Sequence, residues 1–96
     1  MNNYIDKTVI IGRGVEIGTN VSIGPYSVLH PNVKIGNNTD IRSHCVIYPD
    51  TDIGANNKIY DHVIIGSDPQ DLNFDLNKKT FVEILENNII REHTSI

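Results

Sequence analysis

The sequence predicts an all-β fold, a parallel β-helix built from six-residue repeats, and two observations support this prediction. The first is a branched aliphatic residue at every sixth position without a miss: Ile5, Ile11, Ile17, Ile23, Leu29, Ile35, Ile41, Ile47, Ile53, Ile59 and Ile65. A period of six fits neither a helix nor simple strand alternation, and it is typical of hexapeptide solenoids. The second is a set of mostly small or β-branched residues four positions after each aliphatic: Val9, Val15, Val21, Ser27, Val33, Thr39, Cys45, Thr51, Asn57 and Val63.

Each hexad reads as one short strand followed by one corner. Residues two apart in a strand share a face, so the small residue that ends one hexad and the aliphatic that opens the next both point inward. Three such strands make a triangular coil of eighteen residues, and coils stack at about 4.8 Å. The sequence thus predicts a prism with three flat parallel sheets and about four coils from residue 5. Glycine follows six of the aliphatics, and we expect these glycines to adopt the corner angles that side chains resist: Gly12, Gly18, Gly24, Gly36, Gly54 and Gly66.

The repeat breaks once, after Ile65. The hexads resume at Ile84, nineteen positions later, which is one more than a multiple of six. We expect a loop excursion over about residues 67–83 within a single domain spanning residues 1–96. Solenoids carry insertions on one face, which is often the binding face. The alternative is a surface loop without function.

Composition limits the possible partners. The 96 residues carry a net charge of −4, with 39% apolar and 21% charged residues, which is ordinary for one soluble domain. A basic tract with interleaved aromatics is absent, which argues against nucleic acid and anionic membranes as partners. No apolar run approaches membrane-spanning length, so we expect no membrane insertion and a cytoplasmic location.

Cysteine and histidine positions suggest structural or surface roles. Cys45, the single cysteine, occupies an inward position and reads as a buried structural thiol rather than a nucleophile. His44 and His62 share a hexad position eighteen residues apart, and His93 joins their column if the excursion replaces no strand. Coils are about 4.8 Å apart while Zn–N bonds are about 2.0–2.1 Å, so three rungs cannot share one metal. We therefore predict exposed or interface histidines and no metal site. His30, beside a proline, reads as a turn residue.

Five segments together resemble a known family. They are Ile5-Asp6-Lys7-Thr8, Ile23-Gly24-Pro25-Tyr26, Ser43-His44-Cys45-Val46-Ile47, Ile65-Gly66 leading to Pro69-Gln70-Asp71-Leu72, and Ile90-Arg91-Glu92 with Thr94 and Ile96. The chain resembles the amino-terminal portion of the UDP-N-acetylglucosamine acyltransferases of lipid A biosynthesis, across all 96 residues but about a third of a family member. The resemblance implies a left-handed coil, whereas a parallel crossover is otherwise right-handed.

The resemblance also implies an activity. Members are soluble homotrimers that move a 3-hydroxyacyl chain from acyl carrier protein to the glucosamine 3-hydroxyl of UDP-N-acetylglucosamine, without a cofactor. The motif that carries over is Gln70 and Asp71, implied to bind substrate: an amide donates and accepts, and a carboxylate accepts from sugar hydroxyls. Asn73 departs from the pattern, because the family commonly has a basic residue there.

The general-base histidine of the family lies in a His-Ile-Ala-His segment expected beyond residue 96. No catalytic residue is therefore assigned in this chain, which we expect to be a truncated, inactive part of a longer protein. We expect Tyr26, Tyr48 and Tyr60 to face outward on the flat sheets and to support homotrimer packing, and the alternative is that these tyrosines only cover corners. The alternatives are another hexapeptide-repeat sugar or amino-acid acyltransferase and a non-catalytic trimeric scaffold.

Overall fold

The strands of this chain are short and regularly spaced. The computed structural model describes residues 3–66 and 82–96. The strands in this part are β1 (Tyr4–Ile5), β2 (Ile10–Ile11), β3 (Glu16–Ile17), β4 (Ser22–Ile23), β5 (Val28–Leu29), β6 (Lys34–Ile35), β7 (Asp40–Ile41), β8 (Val46–Ile47), β9 (Thr51–Ile53), β10 (Lys58–Ile59), β11 (Ile64–Ile65), β12 (Val82–Ile84) and β13 (Ile89–Ile90). No helix among the described residues is long and apolar enough to cross a membrane.

Three parallel sheets form the faces of a prism, and the chain winds as the predicted left-handed β-helix. Sheet A contains β1, β4, β7, β10 and β13, sheet B contains β2, β5, β8 and β11, and sheet C contains β3, β6, β9 and β12. Each strand pairs in register with the strand one coil away. Ile17, Ile35 and Ile53 consequently stack on one face, in sheet C, as the six-residue period predicts.

The core consists of the two residue columns that the sequence indicates. The buried apolar residues are Val21, Ile23, Leu29, Val33, Ile35, Ile41, Cys45, Ile47, Ile53, Ile59, Val63, Ile65 and Ile90. Four polar residues share this interior: Ser27, Thr39, Thr51 and Asn57. Every buried side-chain polar atom in the described part of the chain has a hydrogen-bond partner. The narrow core therefore contains polar groups without an unpaired donor or acceptor.

The coil count differs slightly from the predicted four. From β1 to β11 the chain completes three coils and two strands of a fourth, and the excursion intervenes before β12 closes that coil.

Strand β12 begins at Val82 because this residue pairs with Thr51, so the predicted excursion of about 67–83 extends too far at its carboxyl end. These partners lie 31 positions apart, thirteen more than the eighteen of an uninterrupted coil. The excursion is thus an insertion that replaces no strand. Residues 67–81 lie outside the described part.

The corners turn at a different hexad position from the one predicted. Left-handed backbone angles occur at the third residue after the aliphatic: Gly14, Asn20, Tyr26, Asn32, Asn38, His44, Asp50, Asn56, His62, Asn87 and His93. Of the six glycines expected to adopt such angles, only Gly66 does so, with φ of 97°. Gly36 shows the other reason for a glycine, since a Cβ there would lie 2.5 Å from the Gly54 carbonyl carbon in the next coil. Close approach between coils, rather than backbone angle, selects glycine at this position.

Candidate functional site

The excursion begins and ends against a single corner of the prism. A Cβ on Gly66 would lie 3.0 Å from the Tyr48 Cβ and 3.1 Å from the Thr51 hydroxyl. On the return side, Val82 pairs with Thr51, and its N–H donates to the Asp50 carbonyl at 3.4 Å. The segment from Tyr48 to Thr51, between sheets B and C, therefore holds both stems of the excursion.

The two residues predicted to bind substrate belong to the excursion itself. Gln70 and Asp71 lie outside the described residues, so their role stays a prediction. What the described residues provide is the base of the excursion: its first stem continues sheet B through Gly66, and its second stem enters sheet C at Val82. The described residues on either side of the excursion therefore lie at the edge shared by sheets B and C.

A pair of stacked rings lies at this base. The His30 and Tyr48 ring centroids are 4.8 Å apart with planes inclined by 26°. Both residues are half-buried, and the Thr51 hydroxyl donates to the Tyr48 carbonyl at 2.9 Å, which fixes the backbone beneath the ring. His30 was predicted only as a turn residue. The contact joins residues eighteen positions apart, a spacing visible in the sequence.

The tyrosines do not lie on the flat sheets, so the first prediction for them is wrong and the alternative, that they cover corners, is confirmed. Each strand is so short that it has one outward position, the residue just before the aliphatic. Tyr48 and Tyr60 follow an aliphatic by one position and Tyr26 follows one by three positions, so all three lie at corners. Tyr26 is 61% exposed, whereas the other two are half-buried against neighbouring rings or guanidinium groups. Aromatic surface is therefore concentrated on the edges of the prism.

A column of four rings runs along the edge between sheets A and B. The centroid distances are 5.2 Å from Tyr26 to His44, 4.9 Å from His44 to His62 and 5.5 Å from His62 to His93. All four residues are exposed, and all have φ near 60°. The prediction that the three histidines share one column is confirmed, and Tyr26 extends it by one rung. We call this set the ring column.

The geometry of the ring column disfavours a shared metal ion. An imidazole nitrogen binds a metal along a lone pair in the plane of its ring. The planes are inclined by only 21° between His44 and His62 and by 5° between His62 and His93, so the lone pairs run side by side instead of converging. Among the described residues, no group of three or more His, Cys, Asp or Glu side chains has an arrangement that would hold a metal ion.

A second column on the same edge contains two cations and an aromatic ring. The guanidinium carbons of Arg42 and Arg91 lie 5.5 Å and 4.5 Å from the Tyr60 ring centroid. Tyr60 lies on the coil between those of the two arginines. Each arginine also has an acidic partner, Asp40 at 3.3 Å and Glu92 at 3.2 Å. These pairs leave little free positive charge, so the column does not form an obvious anion site. Arg42 and Tyr60 are eighteen positions apart in the sequence, which is the length of one coil, and this spacing could have predicted their contact.

Cys45 is a structural thiol, as the sequence indicates. Its side chain is buried and donates to the Tyr60 carbonyl at 3.0 Å, and burial raises the pKa of the thiol. The thiolate is the reactive form of cysteine, so a raised pKa makes this residue a poor nucleophile.

One surface depression lies beside the return of the excursion. It has a volume of about 410 Å³ and is lined by Asp52, Gly54, Glu83, Ile84, Leu85 and Glu86. Three of these six residues are acidic, which disfavours a phosphate or carboxylate ligand in this depression.

Comparisons with known proteins agree with this architecture. The sequence model of the bacterial transferase hexapeptide family (six repeats) matches residues 1–30 and 17–49. A curated relative from Rickettsia peacockii (strain Rustic), an acyl-[acyl-carrier-protein]–UDP-N-acetylglucosamine O-acyltransferase, is 39% identical over 95 residues. The alignment covers 99% of this chain and 36% of the relative.

A solved structure gives the same result. The crystal structure of UDP-N-acetylglucosamine O-acyltransferase from Moraxella catarrhalis RH4 superposes with a TM-score of 0.84 at 39% identity, over 94% of this chain and 35% of that protein. The resemblance inferred from the sequence motifs is thereby confirmed. The chain spans about a third of the length of these two proteins.

Proposed function

The chain belongs to the bacterial transferase hexapeptide family, and from this premise we propose that it forms the amino-terminal part of an acyltransferase that acylates UDP-N-acetylglucosamine. The supporting observation is the 39% identity to the Rickettsia peacockii enzyme across 99% of this chain, with the strand register of the prism maintained on both sides of the excursion. The acyl donor is the 3-hydroxyacyl thioester of acyl carrier protein, whose C–S bond breaks as the sugar hydroxyl forms the new ester, so that the carrier thiol leaves. The product is the 3-O-acylated sugar nucleotide that begins lipid A biosynthesis.

Within this reaction the described prism acts as a support. Thioester attack needs a base on the sugar hydroxyl and a donor for the oxyanion, both held in fixed positions. In the family the general base lies in a His-Ile-Ala-His segment, which these 96 residues do not contain. The contribution of this chain is the excursion, in which Gln70 and Asp71 bind the substrate.

The chemistry of these two residues suits a sugar. The Gln70 amide can donate and accept, and the Asp71 carboxylate accepts from hydroxyl groups. The described residues on either side of the excursion, Gly66 and Val82, both lie at the edge of the prism between sheets B and C.

The assembly and location follow from the same proposal. We expect a homotrimer in the cytoplasm, with active sites between neighbouring prisms, so that substrate contacts two copies at once. No cofactor is required for thioester transfer to a hydroxyl group.

The test is Asp71→Ala in a polypeptide that includes the general base. Loss of a hydrogen bond to a charged group is worth about 1.5–3 kcal/mol, so acyl transfer to UDP-N-acetylglucosamine should fall about tenfold or more. Asp75→Ala, in the same excursion, is the matched control and should leave the rate unchanged. Equal rates in the wild type and Asp71→Ala would contradict the proposed role. The 96-residue chain should show no turnover in either form, and measurable transfer by it would contradict the assignment of the general base.

A further inference from the structure

The two faces of the Tyr48 ring have different neighbours. One face packs on His30, one coil below, with ring centroids 4.8 Å apart and planes inclined by 26°. Hydrogen-bonded coils are also about 4.8 Å apart, so the ring lies across the prism axis and its other face is directed at the next coil. The matching residue of that coil is Gly66, because Ile47 pairs with Ile65. We call the face directed at Gly66 the upper face of Tyr48.

Gly66 brings backbone, and no side chain, next to the upper face. A Cβ on Gly66 would lie 3.0 Å from the Tyr48 Cβ, so the two residues are in close contact through their main chains. The φ of Gly66 is 97°, a conformation that residues with a side chain rarely adopt. Contact and backbone angle therefore both favour glycine, and the matching position above Tyr48 is kept free of side-chain atoms.

The other two corner tyrosines have different surroundings. Tyr60 lies between the guanidinium groups of Arg42 on the coil below and Arg91 on the coil above. Tyr26 ends the ring column and is 61% exposed. Of these three tyrosines, only Tyr48 combines a ring packed on one face with a glycine at the matching position beyond the other face.

The Tyr48 ring is held in a fixed position. The Tyr48 N–H donates to the Ile65 carbonyl at 2.8 Å, and the Tyr48 carbonyl accepts the Thr51 hydroxyl at 2.9 Å. Packing on His30 limits the rotation of the side chain. A side chain that is ordered before a ligand arrives loses little conformational entropy on binding. Tyr48 is therefore suited to act as a rigid platform.

The charges around Tyr48 favour a neutral ligand group. Asp50 lies at the same corner, and Asp52 is the outward residue of the strand that follows. In the described corners between sheets B and C, the only arginine or lysine is Arg13, two coils below Tyr48. A phosphate or carboxylate on the upper face would approach two carboxylates without a neighbouring cation. A group without charge meets no such repulsion.

We propose that the upper face of Tyr48 supports the sugar ring of the substrate. In a gluco-configured pyranose the hydroxyl groups are equatorial, so they lie around the rim and leave two faces of axial C–H groups. The face of an aromatic ring carries negative charge and attracts such weakly positive hydrogens. The inference rests on the proposed function, which supplies a sugar nucleotide as substrate, and it adds a residue that recognises the neutral sugar by its apolar face.

This contact complements those proposed for Gln70 and Asp71. An amide and a carboxylate recognise hydroxyl groups, which lie around the rim of the sugar. A tyrosine ring recognises the C–H face, which neither of those groups can bind. The carboxylates of Asp50 and Asp52 also predict that the diphosphate of the substrate lies away from this corner.

Equilibrium binding of UDP-N-acetylglucosamine tests the platform in a polypeptide that includes the general base. Tyr48→Ala should raise the dissociation constant about three- to tenfold, the factor that a favourable aromatic contact contributes. Tyr48→Phe keeps the ring without its hydroxyl group and should bind like the wild type. Tyr26→Asn removes a ring from a different edge, suits the left-handed backbone angle there, and is the matched control.

The result that would overturn the platform is an unchanged dissociation constant in folded Tyr48→Ala. Far-ultraviolet circular dichroism shows whether each variant folds. Tyr48→Leu keeps an apolar side chain over His30 but lacks the ring, so it decides the question if Tyr48→Ala does not fold. Tyr48→Leu should bind more weakly than Tyr48→Phe, and equal binding by these two variants would also overturn the proposal.

Uridine diphosphate, which lacks the sugar, tests which part of the substrate lies on the ring. Tyr48→Ala should bind this ligand as tightly as the wild type does, because the contact that it removes is made by the sugar. Equal weakening of both ligands by Tyr48→Ala would show that the ring stacks on the uracil base instead. That result would overturn the assignment to the sugar.

His30 is a positioning residue in this arrangement, because it contacts the Tyr48 ring and not the sugar. His30→Ala should weaken binding less than Tyr48→Ala does, and it should reduce the near-ultraviolet circular dichroism of the tyrosine. His30→Phe can stack on Tyr48 in the same way and should restore both properties. Binding by His30→Phe that is no stronger than binding by His30→Ala would contradict the positioning role.

The inference and the proposed function can fail separately. Binding is measured without turnover, so a polypeptide that binds the sugar nucleotide through Tyr48 and transfers no acyl group would contradict the proposed function and leave the sugar contact in place. Acyl transfer that depends on Asp71, together with substrate binding that does not change in Tyr48→Ala, would overturn the sugar contact and leave the proposed function in place.

Discussion

At the scale of single residues, Asn57 shows how a polar side chain is accommodated in a narrow core. It is 1% exposed. Its amide donates to the Gly54 carbonyl at 3.0 Å and accepts the Asn88 N–H at 2.7 Å. The second bond crosses from one coil to the coil that follows the excursion. Asn57 therefore joins two parts of the prism that are 31 positions apart in sequence.

Asn57→Ala should destabilise the prism. The substitution leaves the Asn88 N–H without its partner, while the Gly54 carbonyl keeps the Thr39 hydroxyl as a donor, and the loss of the buried partner is worth about 1–3 kcal/mol. The control is Lys58→Ala, an exposed neighbour that should change the free energy of unfolding by no more than about 0.5 kcal/mol. Urea unfolding followed by circular dichroism measures both. Equal stability of the two variants would show that the internal amide is dispensable.

Cys45 provides a second prediction at this scale. Because burial raises the pKa of its thiol, the reactive thiolate should be scarce at neutral pH in the folded protein. We expect a thiol reagent such as dithionitrobenzoate to modify the native chain far more slowly than the chain in denaturant. Raising the pH should increase the native rate by increasing the thiolate fraction. Fast modification of the folded protein at pH 7 would contradict the structural role.

At the scale of the strand, the stability of each sheet depends on the aliphatic column. Ile35 in β6 is 3% exposed and lies between Ile17 and Ile53. Ile35→Asp would bury an unpaired carboxylate in the interior, and we expect the chain to unfold. Lys34→Ala, the neighbouring outward substitution, should retain the fold. Near-native circular dichroism of Ile35→Asp would contradict the inward assignment of this column.

The sequence predicts the strands well because their period of six appears in every coil. The corners were harder to predict, since the pattern shows where a hexad turns but not which corner residue adopts the left-handed angle. Asn38 and His44 adopt it, although glycine suggested an earlier position. The ring contacts were only partly foreseen, because the eighteen-residue spacing aligns side chains without showing that they stack. Gln70 and Asp71 came from a motif, and their role still depends on experiment.

At the scale of the whole molecule, the prism and its excursion are separable parts. The hexad register continues across the insertion, since Val82 pairs with Thr51 and Ile84 pairs with Ile53. The insertion amounts to thirteen residues beyond one coil. Because the register of the prism is the same on both sides of the insertion, the fold of the prism and the proposed binding role of the excursion can be tested separately.

Deleting residues 69–81 tests this separation directly. The deletion removes thirteen residues, among them Gln70 and Asp71, and leaves the hexad Ile65-Gly66-Ser67-Asp68-Val82-Glu83 followed by Ile84. In this hexad Asp68 falls at the left-handed corner position that Asp50 occupies one coil below.

Shortening a loop changes its closure entropy only slightly, so we expect the stability of the prism to change by no more than about 1 kcal/mol. In a polypeptide that includes the general base, acyl transfer should be lost while circular dichroism and the unfolding midpoint remain near those of the wild type. A deletion variant that cannot fold would show that the excursion stabilises the prism, and one that folds and retains wild-type transfer would show that substrate binds elsewhere.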